Sequence, residues 1–203
     1  MKTLAKLSAE SGESAMTRRT LLVSILATGA VYAVSGPGSK SSAAAESATG
    51  AAPRLVTIEN FSNAGKSLGL SKQPVVVKTL DQWRAQLSAT AFHVAREAGT
   101  ELAFSGEYAA NHASGLYRCV CCGTALYDYN TKFESGTGWP SFWKPISARN
   151  VLESSDSGLS MLRTAVSCRL CDAHLGHVFD DGPQPTGLRY CMNSVALKFV
   201  ART

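Results

Sequence analysis

"YRCVCCGTAL", residues 117–126, places three cysteines within four positions. Cys119 and Cys122 stand at C-x-x-C spacing, with Cys121 wedged between them. Which pair acts together decides whether the chain is a metal-held module, a disulfide framework or a thiol enzyme. A second pair, Cys168 and Cys171, repeats the spacing, with 45 residues between Cys122 and Cys168. Two such knuckles supply four thiolates, which suits a tetrahedral zinc; an iron centre is the other metal that accepts the set. Each knuckle turns two sulfurs to one side, and Gly123 lets the chain leave the first turn without Cβ strain. The alternative is two disulfides, as an exported protein meets an oxidising compartment. A disulfide within C-x-x-C closes a tiny ring and staples little. Cys121 is the poorer ligand, because it and Cys122 are neighbours that cannot easily both face one ion. Setting the four ligands aside leaves Cys121 and Cys191.

The 203 residues bound the rest. The length fits one domain with extras or two small domains, and a composition 45% hydrophobic and 17% charged is that of an ordinary globular protein. The net charge of +5 is concentrated at the start. Residues 1–45 hold Lys2, Lys6, Arg18, Arg19 and Lys40 against Glu10 and Glu13, leaving only +2 for the remainder. That excludes an electrostatic footprint for nucleic acid.

Residues 1–45 read as an address. Arg18 and Arg19 precede an apolar run from Leu21 to Val34, followed by a Gly/Pro/Ser stretch and Ala43-Ala44-Ala45, an A-x-A-type cleavage site. The run is shorter than the roughly 20 apolar residues of a membrane span. Thr17-Arg18-Arg19-Thr20-Leu21-Leu22 resembles a bacterial twin-arginine signal, which implies export to the periplasm; the alternative is a chance arginine pair in a general secretory signal. The membrane is a partner only if this leader stays uncleaved. Residues 46–77, rich in Ala, Ser, Gly and Lys, read as a linker.

The globular part, residues 78–203, opens on "TLDQWRAQL". Thr79 with Gln82 three positions on is a capping box. Leu80, Trp83 and Leu87 then share one face of a short helix, and Ser88 caps a second helix carrying Phe92 and Val94. After Gly99, short segments such as "GLYRCV", "MLRTAVSC", "GHVFDD" and "VALKFV" are bounded by turn residues and read as antiparallel strands. The expectation is a short helical piece followed by an all-β body.

Around the lone thiol the chain reads "DDGPQPTGLRYCMNSVALKF". Arg189 lies two positions before Cys191, on the same face of a strand, where a guanidinium favours the thiolate. Upstream, in "AHLGHVF", His174 and His177 are three apart. An arginine, two histidines and a lone cysteine make a nucleophile-and-acid constellation. The bland alternative is an inert strand thiol beside core histidines.

"SGTGWPSFW" (135–143), "SCRLCDAHLGHVFDDGPQPTGLRYCMNS" (167–194), both C-x-x-C pairs and "FHVAREAGTELAFSG" (92–106), in this order, resemble the B-type methionine sulfoxide reductases. The resemblance spans about residues 78–200. It implies a mainly β fold, a β-tent of two antiparallel sheets with short N-terminal helices around one structural zinc. It implies reduction of methionine-R-sulfoxide, free or in oxidised proteins, by a monomer. It makes Cys191 the nucleophile and makes His174 and His177 the pair that binds the sulfoxide oxygen and helps protonate it. Asn193 and Arg189 line the same pocket. Trp139 packs on the substrate methyl group, and Phe179 forms another wall. Cys119, Cys122, Cys168 and Cys171 become the zinc ligands. The chemistry suits these residue types: thiolate attack on an electrophilic sulfur is eased by protonating its oxygen, and it leaves a sulfenic acid on Cys191.

Many relatives carry a resolving cysteine where this chain has Thr137. Three routes remain: an external thioredoxin-like thiol, Cys121 as substitute resolver, or Cys121 as a small buried bystander. Rival functions are a non-catalytic zinc-ribbon interaction module and a disulfide-stabilised exported protein. Neither accounts for Arg189, the two histidines and "RYCMNS".

Overall fold

The computed structural model describes residues 52–156 and 163–203. The leader read at 1–45 lies outside the described residues.

The linker expected over 46–77 is corrected for most of its length. Strand β1, Leu55–Phe61, pairs antiparallel with β2, Ser67–Pro74, in a register running from Leu55↔Pro74 to Glu59↔Leu70. "LVTIENF" alternates β-branched with polar residues, a strand pattern overshadowed by the small polar residues around it. Gly65, at φ +80°, turns the chain between the strands. Ile58 is buried in the common core. Buried Asn150 accepts from the Glu59 N–H (2.9 Å) and donates to the Glu59 carbonyl (2.8 Å), mimicking one more strand partner. Arg118 donates to the Phe61 carbonyl at 2.9 Å.

Helix α1, Leu80–Gln86, starts at the expected capping box: the Gln82 N–H donates to Thr79 Oγ1 (3.2 Å) and the Thr79 N–H to Gln82 Oε1 (2.9 Å). Trp83 and Leu87 point into the core, but Leu80 is 55% exposed, so the buried face is narrower than its spacing predicts. Arg96 and Lys78 lie over the Trp83 ring at 4.8 and 4.9 Å from its centroid. Helix α2, Ala89–Glu97, is capped by Ser88 and buries Phe92 and Val94 as its pattern requires.

The β body holds two further sheets. The larger runs β5-β6-β10-β9-β8-β7, built from β5 (Lys132–Phe133), β6 (Ser141–Phe142), β7 (Val151–Asp156), β8 (Arg163–Cys168), β9 (His174–Phe179) and β10 (Arg189–Met192). The smaller runs β11-β3-β4, from β3 (Gly115–Cys119), β4 (Ala125–Asp128) and β11 (Leu197–Ala201). Every pairing is antiparallel. Aromatic packing joins the two sheets: Phe142 stacks on Tyr127 at 4.4 Å and meets Tyr117 edge-on at 5.0 Å. The segment "VALKFV" splits: Ser194–Ala196 form a 3-10 turn before β11 begins. The mainly β class with two short helices stands as expected. No helix among the described residues is long and apolar enough to cross a membrane.

Candidate active site and cysteine cluster

The two knuckles meet. Cys119 and Cys122 leave the end of β3, Cys168 and Cys171 the end of β8, and their four sulfurs lie within 4.8 Å of one another. Cys119 Sγ is 3.6 Å from Cys171 Sγ, and Cys122 Sγ is 3.6 Å from Cys168 Sγ. Four thiolates around one zinc at ~2.3 Å would stand about 3.8 Å apart, so the donor set and its spacing fit a tetrahedral metal. The cysteines are all reduced, and the sulfurs are far beyond the ~2.05 Å of a disulfide.

Cys191 sits elsewhere, at the centre of β10. Its cross-strand partners are His177 on β9 and Ser141 on β6. β9 can lie this close because residue 176 is glycine: a Cβ there would stand 2.1 Å from the Cys191 carbonyl oxygen. Cys191, His177, Trp139, Phe179, Asn193 and Thr100 line a cavity of about 120 Å³. Of the constellation expected from the sequence, Cys191 and His177 line the cavity, whereas Arg189 does not and His174 stands behind His177, packed edge-on against it at 5.3 Å.

Each group has a defined chemical state. Asp156, at the end of β7, accepts from His177 Nε2 at 2.9 Å, which places a proton on that nitrogen. Arg163 donates to the same carboxylate oxygen at 2.9 Å. His174 is held neutral: burial, then the neighbouring His177, brings its pKa down to about 4. Its Nε2 is buried with no hydrogen-bond partner among the described residues. Arg189 makes a bidentate pair with Asp181, both bonds 2.8 Å, and lies over the Phe179 ring at 4.4 Å. Its charge favours the Cys191 thiolate, as expected. Burial nevertheless outweighs that charge and the Thr137 and Ser141 hydroxyls, so the thiol lies above its ordinary value. The side-by-side arginine moderates the thiol without making it acidic.

Thr137 stands against the thiol, Oγ1 3.9 Å from Cys191 Sγ. Ser135 links it to Ser141 through hydroxyl contacts of 2.8 and 2.7 Å, so a short polar chain backs the sulfur.

Cys121 is buried beside Cys119 and Cys171, its carbonyl accepting from Gln86 at 2.7 Å. Ala165, His177 and Cys191 form one row across β8, β9 and β10. The cluster begins three residues along β8 and two strands over, which at ~3.3 Å per residue and ~4.8 Å per strand is roughly 14 Å away. A disulfide needs Cα atoms within about 7 Å. Closing the cycle through Cys121 therefore requires the knuckle to move.

Glu101 is the residue that sequence reasoning passed over. Its buried carboxylate accepts the backbone N–H groups of Ser194 (2.6 Å) and Val195 (3.0 Å), capping the 3-10 turn. Its own N–H donates to Asn193 Oδ1 (2.9 Å), and its carbonyl accepts from Trp139 Nε1 (3.2 Å). Asn193 also donates to the Leu175 carbonyl at 3.0 Å, so its amide ties the 101 loop to β9. One residue thus holds both the indole wall and the asparagine. An acidic residue amid "GTELAFSG" gives no local hint of this, since its partners lie 38 to 94 positions away.

A family model described as the SelR domain matches residues 87–201, more than half of the chain. The chain belongs to this family. The chain is also similar to curated relatives named peptide methionine sulfoxide reductase MsrB. The protein of Pseudomonas aeruginosa (strain UCBPP-PA14) is 56% identical over 125 residues, 62% of this chain and 95% of the relative. Those of Pseudomonas putida (strain W619) and Pseudomonas fluorescens (strain Pf0-1) are each 54% identical, covering 94% and 97% of the relatives. The SelR match takes in the four clustered cysteines, Cys191, both histidines, Trp139 and Glu101. Hairpin β1–β2 and helix α1 precede it.

Proposed function

We propose that this chain is a peptide-methionine (R)-S-oxide reductase, with Cys191 as nucleophile. One observation carries the reading: a lone thiol, remote from the cysteine cluster, faces a small cavity bounded by an indole, a phenyl ring and a histidine. The Cys191 sulfur attacks the sulfoxide sulfur while the S–O bond breaks. The oxygen leaves as water on taking up two protons; water then attacks the Cys191 sulfur, the new S–S bond breaks, and methionine departs from a Cys191 sulfenic acid. His177, which lines the cavity with its Nε2–H turned to Asp156, and His174 packed against it are assigned to binding the departing oxygen and helping it take up a proton. Trp139 and Phe179 favour the S-methyl side over the oxygen side, which is the basis for choosing one epimer. An external thiol then attacks the sulfenic acid, releasing water. A second thiol cleaves the mixed disulfide and restores Cys191. A thioredoxin-like donor fits this role, because Thr137 offers no thiol and Cys121 is out of reach. Cys119, Cys122, Cys168 and Cys171 would hold a zinc, which when bound would cross-link the two sheets.

The test is single-turnover reduction of the separated R and S epimers of N-acetyl-methionine sulfoxide. One methionine per chain from R alone, with the loss of one titratable thiol, is expected. Cys191→Ser removes all turnover, whereas a binding module would be indifferent to it. Failure to reduce R sinks the reading. The leader at 1–45 extends the proposal to a periplasmic enzyme, which fractionation before and after Arg18→Lys with Arg19→Lys checks.

A further inference from the structure

We propose that Leu102 and Phe104 form a docking ledge for apolar residues that flank an oxidised methionine in an extended polypeptide; this rests on the pocket being a methionine-sulfoxide site. Leu102 is 80% exposed and Phe104 75%. Single exposed apolar side chains are ordinary on a protein surface; two of them held rigidly beside a cavity are the informative case.

The exposure is built in. Phe104 is held at φ +64°, a region unfavourable for an aromatic residue and maintained only where the surroundings impose it. Its N–H donates to the Gly138 carbonyl at 2.9 Å. Its ring lies over Gly138 so closely that a Cβ there would stand 2.7 Å from it. On the other side, Ser105 N–H and Oγ both bond the Leu102 carbonyl, at 3.2 and 2.7 Å, closing a tight turn. Glu101, the next residue back, is locked by its four hydrogen bonds. The two side chains are therefore presented on a fixed loop, which lowers the ordering cost of binding.

The ledge adjoins the pocket through the segments that carry Thr100 and Trp139. Thr100 and Trp139 line the cavity, and Leu102 and Phe104 follow from these two walls through Glu101 and Gly138. A cavity of about 120 Å³ encloses the end of one side chain. It is well below the ~300 Å³ at which ordinary ligand pockets begin. The backbone and neighbouring residues of a polypeptide must lie outside it, where the exposed side chains beside the Trp139 segment, Leu102 and Phe104, are apolar. A methionine exposed by unfolding, with apolar neighbours from a former core, is the partner this surface fits.

Three substrates test the assignment, with an excess of small dithiol as reductant: N-acetyl-methionine-R-sulfoxide, a peptide with the sulfoxide flanked by Leu and Phe, and one with it flanked by Ser and Gly. For the wild type, kcat/KM is expected to be roughly tenfold higher on the apolar-flanked peptide than on the polar-flanked one. Phe104→Asn, which tolerates the left-handed backbone, and Leu102→Ser, in an exposed loop, should each erase most of that gap. Both should leave the N-acetyl substrate unchanged. No flank dependence in the wild type, or equal losses on all three substrates, overturns the ledge. A concentration-dependent dimer that disappears in Phe104→Asn also overturns it, assigning the surface to a second copy. If the wild type reduces none of the three, the functional reading itself falls and takes the ledge with it.

Discussion

Thr137 Oγ1 lies 3.9 Å from Cys191 Sγ, directly against the thiol. A sulfur at this position would need only a small rotation to reach bonding distance. In Thr137→Cys the introduced thiol is expected to form a disulfide with Cys191 after one turnover, lowering the titratable thiols by two where the wild type loses one. Mass spectrometry of the peptides checks it. A variant that still accumulates sulfenic acid would show that the loop holds residue 137 away from the sulfur.

The cysteine cluster predicts a division of labour. One metal per chain is expected by elemental analysis. Cys121→Ser should keep that metal and full turnover with an external dithiol. Cys168→Ser should lose the metal and most of the folded state, since a structural four-thiolate site contributes on the order of 10 kcal/mol. Impaired cycling in Cys121→Ser with the metal retained would revive Cys121 as a resolver and imply that the knuckle moves.

Glu101 should matter to both fold and pocket. In Glu101→Gln one carboxylate acceptor becomes an amide N–H facing the backbone donor of Ser194 or Val195, an unsatisfied buried pair costing about 2 kcal/mol. A lower unfolding midpoint is expected. So is a rise in KM and a loss of R-over-S selectivity, as the Trp139 indole loses its fixed anchor. Loss of stability alone, with selectivity intact, would confine Glu101 to capping the turn.

His174 predicts a pH signature. In the unfolded chain its imidazole takes up a proton near pH 6.5, while in the folded state it does so only near 4. Its contribution is fully present above about pH 6.5 and is lost as the pH falls towards 4, because only the unfolded state binds the proton in that window. The loss is on the order of 2 kcal/mol. Denaturant titrations of wild type and His174→Asn at pH 7 and pH 4.5 measure it: the wild type should lose more stability on acidification than the variant. Equal losses would show that the imidazole is better solvated than its burial indicates.

How far the molecule is legible follows the range of its interactions. The capping box at Thr79, the Ser88 cap and the four-cysteine set are local or self-repeating patterns, and each is found where its spacing places it. Strand β2 is hardly legible, because in "SLGLSKQP" the alternation is limited to Leu68 and Leu70, both exposed, beside Gly69 and Pro74, which are poor strand formers. Asp156 escapes for a related reason: it meets His177 through the register of β7, β8 and β9, which no short window contains. Arg189 stands beside the thiol as its spacing predicts, but its effect is smaller than that spacing suggests. Position along a strand reports a neighbour and says nothing of how deeply the pair is buried.

Asn150 has a practical bearing on how the protein is handled. With no exposed surface, it serves Glu59 on the hairpin and the Ala125 carbonyl in the small sheet at once. A shortened protein cut to residues 87–201 would strand that amide and take Ile58 out of the core. The stretch that folds together is longer than the stretch that carries the family's chemistry. An expression boundary belongs ahead of Leu55.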